Sequence, residues 1–207
     1  MSLEVGLRER KKIALREQLI STATRLFTEN GYAETTLEHV AHENMVSIRT
    51  LLRHFESKEG LAIASLKSKA TQFREEIADP ARTVDSIEIW RSAVRDNALH
   101  YMDSPKMRDY HVFLTSEPQL IGVVAAIHDE YANSIAEGLA MDLGIPPSEN
   151  LDNRVLAAML VQSYRVTLQH WIEYPQSGAL SDLACDVIDA ILRRYPDRGR
   201  PGFILNV

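Results

Sequence analysis

The run TTLEHVAHENMVSIRTLLRHFESKEGL, residues 35 to 61, leaves little freedom in how this chain can fold. It holds three helix starts in quick succession. Thr35 and Glu38 spell a T-x-x-E capping box, and Leu37, Val40 and Ala41 follow with an apolar stripe at helical spacing. Asn44-Met45-Val46 interrupts that stripe, and Ser47 is a good N-cap for a second helix from Ile48 to His54. Ser57 caps a third, which opens with Lys58 and Glu59. Two short helices joined by a tight turn make the helix-turn-helix of DNA-binding proteins, whose second helix enters the major groove. Leu51 and Phe55 can anchor that helix inward, while Ile48, Arg49, Thr50 and Arg53 project outward.

The same residues carry a family resemblance. Arg16, Leu19-Ile20, Ala23, Leu26-Phe27, Gly31-Tyr32, Thr35-Thr36, Val40-Ala41, Val46-Ser47, Thr50-Leu51, His54-Phe55 and Ser57-Lys58-Glu59 resemble the N-terminal DNA-binding domain of TetR-family transcriptional regulators. Two positions depart from the family pattern. The turn often carries Ala-Gly before Val-Ser, and here it reads Asn44-Met45; Asn44 is the residue expected to take the positive φ, which Asn tolerates better than most. An aromatic phosphate contact is usual just before the Arg53-His54 pair, and Leu52 stands in its place. The resemblance implies an all-α fold with an N-terminal three-helix DNA-binding domain and a C-terminal helical ligand-binding and dimerisation domain. It also implies a homodimer joined through its last two helices.

Length and composition agree with that division. A chain of 207 residues can hold one small and one larger helical domain, here expected as 1–60 and 61–207 with a helix over 57–78 linking them. No apolar run reaches membrane-spanning length. The charged start MSLEVGLRERKK lacks the apolar core of a signal peptide, and a single cysteine, Cys185, cannot form an internal disulfide; both suit the cytoplasm. The net charge of −6 conceals an asymmetry: residues 1–69 hold 11 Lys or Arg against 9 Asp or Glu, a net of +2, and the remainder 12 against 20, a net of −8. The positive potential therefore sits at one end, where phosphates could be met.

In chain order, Arg8 to Lys12 precedes the first long helix and could serve as a minor-groove arm. Ile13, Ile20, Ala23 and Phe27 mark that helix's inner face, and Gly31 ends it. The helix opening at Ser57 runs to about Ala78, where Asp79-Pro80 stops it. Beyond Thr83 the chain reads as helices only: Val84 to Met102, a shorter one to Leu114, then one opened by a Ser116–Gln119 capping box and ended at Gly144. Ser148 opens a long apolar helix to Tyr174, and the last runs from Leu180 to Tyr195. Apolar residues cover most of the penultimate helix, so it should be buried on more than one side. Leu160 and Ile188 are expected in a dimer interface.

The outward positions suggest base contacts from Ile48, Arg49, Thr50 and Arg53, with Arg49 suited to a bidentate contact with guanine. Thr36, Ser47, His54 and Lys58 would hold phosphates, with Leu52 in the vacated aromatic place. In the larger domain Trp90, Tyr101, Phe113, Met159, Tyr164 and Trp171 could line a ligand pocket, with His100 and Gln162 as polar groups fixing orientation. No metal site, cofactor motif, nucleophile elbow or phosphate loop is evident. The function these features suggest is a cytoplasmic, dimeric repressor of a palindromic double-stranded DNA operator, released by a small-molecule effector, neither enzyme nor membrane protein. Two other readings fit an all-α chain: a ligand-binding protein or enzyme whose N-terminal bundle only resembles a DNA reader, and a helical adaptor binding through its acidic domain. Salt-dependent binding of a palindromic duplex separates the first reading from both.

Overall fold

The structure, a computed structural model, describes residues 6–103, 105–146 and 151–196, without the side chains of Leu7, Thr28 and Gln119. Every regular element among the described residues is a helix: α1 (Leu7–Asn30), α2 (Leu37–Glu43), α3 (Ile48–Leu52), α4 (Lys58–Ala78), α5 (Ser86–Asp103), α6 (Pro105–Ser116), α7 (Pro118–Leu143), α8 (Leu151–Glu173) and α9 (Leu180–Arg194), with a 3-10 turn at Pro175–Ser177. The chain divides into two compact units, Met1–Ser68 with Lys106–Leu114, and Lys69–Pro105 with Thr115–Val207. The division expected at residue 60 thus falls inside α4, and the first unit also takes most of α6.

In the first unit, Leu19, Ile20, Ala23, Leu26 and Phe27 give α1 a buried stripe at helical spacing. Ile13, expected on that stripe, is 44% exposed. The basic residues Arg8 to Lys12 lie within α1 rather than ahead of it, all exposed. Gly31, at φ 87°, ends the helix with its N–H on the Phe27 carbonyl. Residues of α6 join this unit through a stack of rings. Tyr32 lies 3.9 Å from Phe113 and 5.8 Å from Tyr110, which lies 5.5 Å from Phe27, and the Lys106 ammonium reaches the Glu29 carbonyl.

The start of α2 differs from the sequence expectation by one residue. Thr35 is fully buried, its hydroxyl within reach of the Leu26 and Gly31 carbonyls at 3.0 and 2.8 Å. Thr36 is the cap instead, accepting the His39 N–H at 3.1 Å. The turn also resolves differently. Asn44 keeps φ −90° and is buried, its amide donating to the Val40 carbonyl at 2.7 Å while its oxygen accepts from the Thr22 hydroxyl at 3.3 Å. Its side chain is occupied, so the next residue makes the bend. Met45 takes φ 52°, 92% exposed.

The second unit packs Phe73, Ile77, Trp90, Val94, Ile135, Leu139, Leu156, Leu160 and Ile188 into one core. Leu180, Ala184, Ile188 and Leu192 are the buried stripe of α9, and Leu183, Val187 and Ile191 form a second, half-buried stripe beside it. On α8, Leu156, Ala157, Leu160 and Val161 are buried, Val155 and Met159 half-buried, and Val166 is 55% exposed. Leu160 and Ile188, expected at a dimer interface, thus belong to the chain's own core. Ser116 ends α6, Glu117 precedes α7 without a side-chain cap, and Pro118 fills the first turn; the Gln119 side chain of the expected Ser116–Gln119 box lies outside the described residues. Gly144 closes α7 at φ 63°. The expected opening of α8 at Ser148 lies outside the described residues.

A close approach fixes the corner between α4 and α5. A Cβ on Gly138 of α7 would run into Ser86 and Ile77 side chains. Nearby, Asp142 accepts the Ser86 N–H at 2.9 Å and pairs with Arg82.

Three substitutions test this account by thermal or urea unfolding. Gly138→Ala should destabilise by about 1–3 kcal/mol through overpacking. Gly122→Ala, on the same helix with nothing within 4 Å of its added Cβ, should stabilise by about 0.5–1 kcal/mol through helix propensity. Met45→Gly should stabilise by about 0.5–1 kcal/mol by relieving the left-handed conformation.

Candidate nucleic-acid interface

The second helix of the pair is short, and its neighbours set its orientation. Leu51 is fully buried and Phe55 nearly so. Ser47 caps the start of α3, its hydroxyl accepting the Thr50 N–H at 3.1 Å and lying 2.9 Å from the Thr50 hydroxyl. On the outer side, Arg49 and Arg53 are exposed, Ile48 and Thr50 half-buried, and Leu52 is 42% exposed. Neither arginine has an ion-pair or hydrogen-bond partner from its side chain among the described residues. Exposed guanidinium groups of this kind can meet phosphates or the acceptor edge of guanine.

Cations gather at the end of α3. The Arg16 guanidinium of α1 lies over the Phe55 ring, 5.0 Å from its centre. Burial, then the charges of Arg53, Lys12 and Arg16, hold the half-buried His54 below the ordinary histidine value of 6.5. The sequence reading placed His54 at a phosphate and Lys12 in a minor-groove arm, but did not bring Lys12 and Arg16 together beside His54; their spacing of four residues, one helical turn, was the available signal. Lys58 is less free than its place at a helix start suggests. Its ammonium lies 4.2 Å from the centre of the Tyr32 ring and donates to the Ala33 carbonyl at 3.2 Å. Burial holds its pKa below the usual lysine value. Thr36 and Ser47 cap their helices with the hydroxyls expected at phosphates.

Residues 19–64, which contain α2, α3 and the start of α4, match the family model described as bacterial regulatory proteins, tetR family. These residues form a tetR-family DNA-binding segment. Over 173 residues it is 27% identical to the HTH-type transcriptional regulator TcmR of Streptomyces glaucescens, spanning 80% of this chain and 76% of that one. A shorter match, 37% identical over 62 residues, joins it to HbdR of Aromatoleum sp. (strain CIB), covering 30% of this chain and 27% of that regulator. Among solved structures, FadR of Thermus thermophilus, a TetR-family repressor in complex with lauroyl-CoA, shares the fold at a TM-score of 0.60 and 20% identity, covering 86% of this chain and 93% of that one. FadR of Bacillus subtilis in complex with stearoyl-CoA does so at 0.57 and 22%, covering 84% and 96%.

In the rest of the chain the ligand candidates are dispersed. Trp90 and Tyr164 meet edge-on at 6.2 Å, and the buried Tyr101 lies near enough to help raise the Tyr164 pKa after burial itself. Trp171 is buried and donates its indole N–H to the Gly178 carbonyl at 3.0 Å. Met159 is half-buried. Phe113, grouped with these from the sequence, stacks instead on Tyr32 in the first unit. His100 is exposed, 2.7 Å from the Asp96 carbonyl, and Gln162 is exposed, accepting from Arg165 at 2.7 Å. Sequence reasoning undervalued Asn97, which accepts the Tyr164 hydroxyl at 2.7 Å.

The His54 environment has a measurable consequence. Its folded pKa is depressed, so the unfolded chain binds more protons as pH falls through 6.5, and the charged form costs stability below that point. In an NMR titration, Arg16→Ala or Lys12→Ala should move the His54 midpoint upward. His54→Gln should flatten the loss of stability between pH 6.5 and the His54 midpoint. An unchanged midpoint in both cation variants would contradict the cluster.

Proposed function

We propose that this protein is a dimeric transcriptional repressor that reads a palindromic operator through α3 and is released by a small molecule held in its second unit. The observation that carries the reading is the split face of α3: Leu51 buried at 0% exposure, Arg49 and Arg53 exposed and unpaired among the described residues. Arg49 is the best placed for a bidentate guanine contact, with Ile48, Thr50 and Arg53 beside it on base edges or the flanking backbone. Thr36, Ser47, His54 and Lys58 border the same surface and hold phosphates, from the N–H groups at the capped helix starts as well as from side chains. A palindrome requires a two-fold partner. The outer apolar stripes of α8 and α9, Met159 and Val166 with Leu183, Val187 and Ile191, supply a self-complementary surface for it. Release by a ligand is supported by solved proteins of the same fold that are described as repressors or regulators in complex with acyl-CoA.

Binding is tested by fluorescence anisotropy on a duplex selected from a random pool, across a salt series. Arg49→Ala should cost about 1–3 kcal/mol on the selected duplex and relax the preference at one base pair in each half-site. Lys58→Ala should weaken selected and unrelated duplexes alike and flatten the salt slope. Selectivity unchanged in Arg49→Ala would overturn the reading face. For assembly, sedimentation of Val166→Glu and Val187→Glu should show folded monomers, because a carboxylate at a closed apolar interface is costly. A wild-type monomer at micromolar concentration would overturn the dimer.

A further inference from the structure

In the first unit, α1 brings to the end of α3 a cation that the helix pair itself does not contain. The Arg16 guanidinium lies over the Phe55 ring, 5.0 Å from its centre, and Phe55 is buried. A guanidinium on an aromatic face is held there while its N–H edge stays free to donate. That edge is unused. Arg16 is exposed, and no carboxylate, carbonyl or hydroxyl accepts from it among the described residues. Arg25, further along the same helix, shows the contrast, since Glu29 and Glu43 both pair with it. The surroundings of Arg16 are cationic as well. His54 follows the exposed Arg53, and its ring centre lies 6.3 Å from that of Phe55. Lys12 stands one turn before Arg16 on α1. After burial, what holds His54 below the ordinary histidine value is the charge of Arg53, Lys12 and Arg16, all positive.

Like charges gathered without a counter-charge disfavour the compact state and attract an anion to the place where they meet. A side chain already ordered over a ring also loses less freedom on binding than a loose one. The N-terminal residues of a recognition helix meet base edges, and the backbone passes its other end. His54 and Phe55 follow Arg53, the C-cap of α3, so the anion met at this end is a phosphate and not a base. We infer that Arg16 receives a phosphate of the DNA backbone beside the C-terminal end of α3, which extends the contact surface beyond the helix pair onto α1. This rests on the reading that α3 lies in the major groove, and adds to it a contact from a different helix. The bond is charge-assisted, and it contributes affinity and register without sequence preference.

Two variants separate charge from packing. Arg16→Gln keeps an aliphatic stem over Phe55 and removes the charge, whereas Arg16→Lys keeps the charge. In anisotropy titrations across a salt series, Arg16→Gln should weaken the selected duplex and an unrelated one by the same factor. It should lower the slope of log affinity against log salt by about 0.9 for each half-site. Arg16→Lys should keep the wild-type slope. Ethylation interference on the selected duplex should reveal a phosphate in each half-site whose modification blocks the wild type and Arg16→Lys but no longer affects Arg16→Gln, with the other sensitive phosphates unchanged. If the wild type binds the duplex and Arg16→Gln alters neither the slope nor the ethylation pattern, Arg16 meets no phosphate and the DNA reading stands. If Arg16→Lys loses as much slope as Arg16→Gln, the guanidinium acts through its packing on Phe55, and the phosphate assignment is overturned in that case too. If the wild type binds no duplex, both the assignment and the DNA reading are overturned.

Discussion

A helix of five residues does not persist in water on its own, because nucleating a turn costs more than so few hydrogen bonds return. The helix proposed to read the operator, α3, is such a helix, and what holds it is the burial of Leu51 and Phe55, with α2 packed beside it and Arg16 of α1 over the Phe55 ring. The Ser47 cap fixes its first turn, and Asn44 ties the preceding turn to Val40 and Thr22. Leu51 and Arg49 lie on opposite sides of one short element, so the core that positions α3 also aims its cations outward. Removing Leu51 would cost the few kcal/mol of an emptied core site, and would disorder the surface that carries function.

The second unit is organised differently. Its helices are long and its core is continuous from Phe73 to Ile188, so stability does not hang on one side chain. What distinguishes it is polarity left over inside: the buried Trp90 N–H has no acceptor among the described residues. The chain passes between the units three times, once within α4 and again at each side of residues 106–114. The segment 106–114 belongs to the DNA-binding unit through its stack on Tyr32 and Phe27. Any ligand that favours one arrangement of these crossings alters DNA affinity, and DNA alters ligand affinity by the same factor.

Much of this was legible in the sequence, for identifiable reasons. Period and punctuation marked the helices, because apolar stripes and Pro or Gly stops are local signals. Ser47 could be identified as a cap from its neighbours alone. Thr35 and Thr36 could not be told apart that way, since which of them is buried depends on the Leu26 and Gly31 carbonyls of a preceding helix. Asn44 was the better candidate for positive φ by propensity, but its side chain is needed by Val40 and Thr22, and Met45 bends instead. Tertiary demand overrode local preference in both cases. The candidate ligand residues were harder still. Aromatic composition names Phe113 and Trp90 equally, and only the fold assigns one to Tyr32 and the other to Phe73.

The central claim is that two copies of α3 read the major groove one helical turn apart. Dimethyl sulfate interference on the selected duplex tests it directly, because the reagent methylates guanine N7 in the major groove and adenine N3 in the minor groove. The account predicts interference at guanine N7 in two symmetric patches about 10 bp apart. Interference confined to adenine N3, or to a single asymmetric patch, would contradict it.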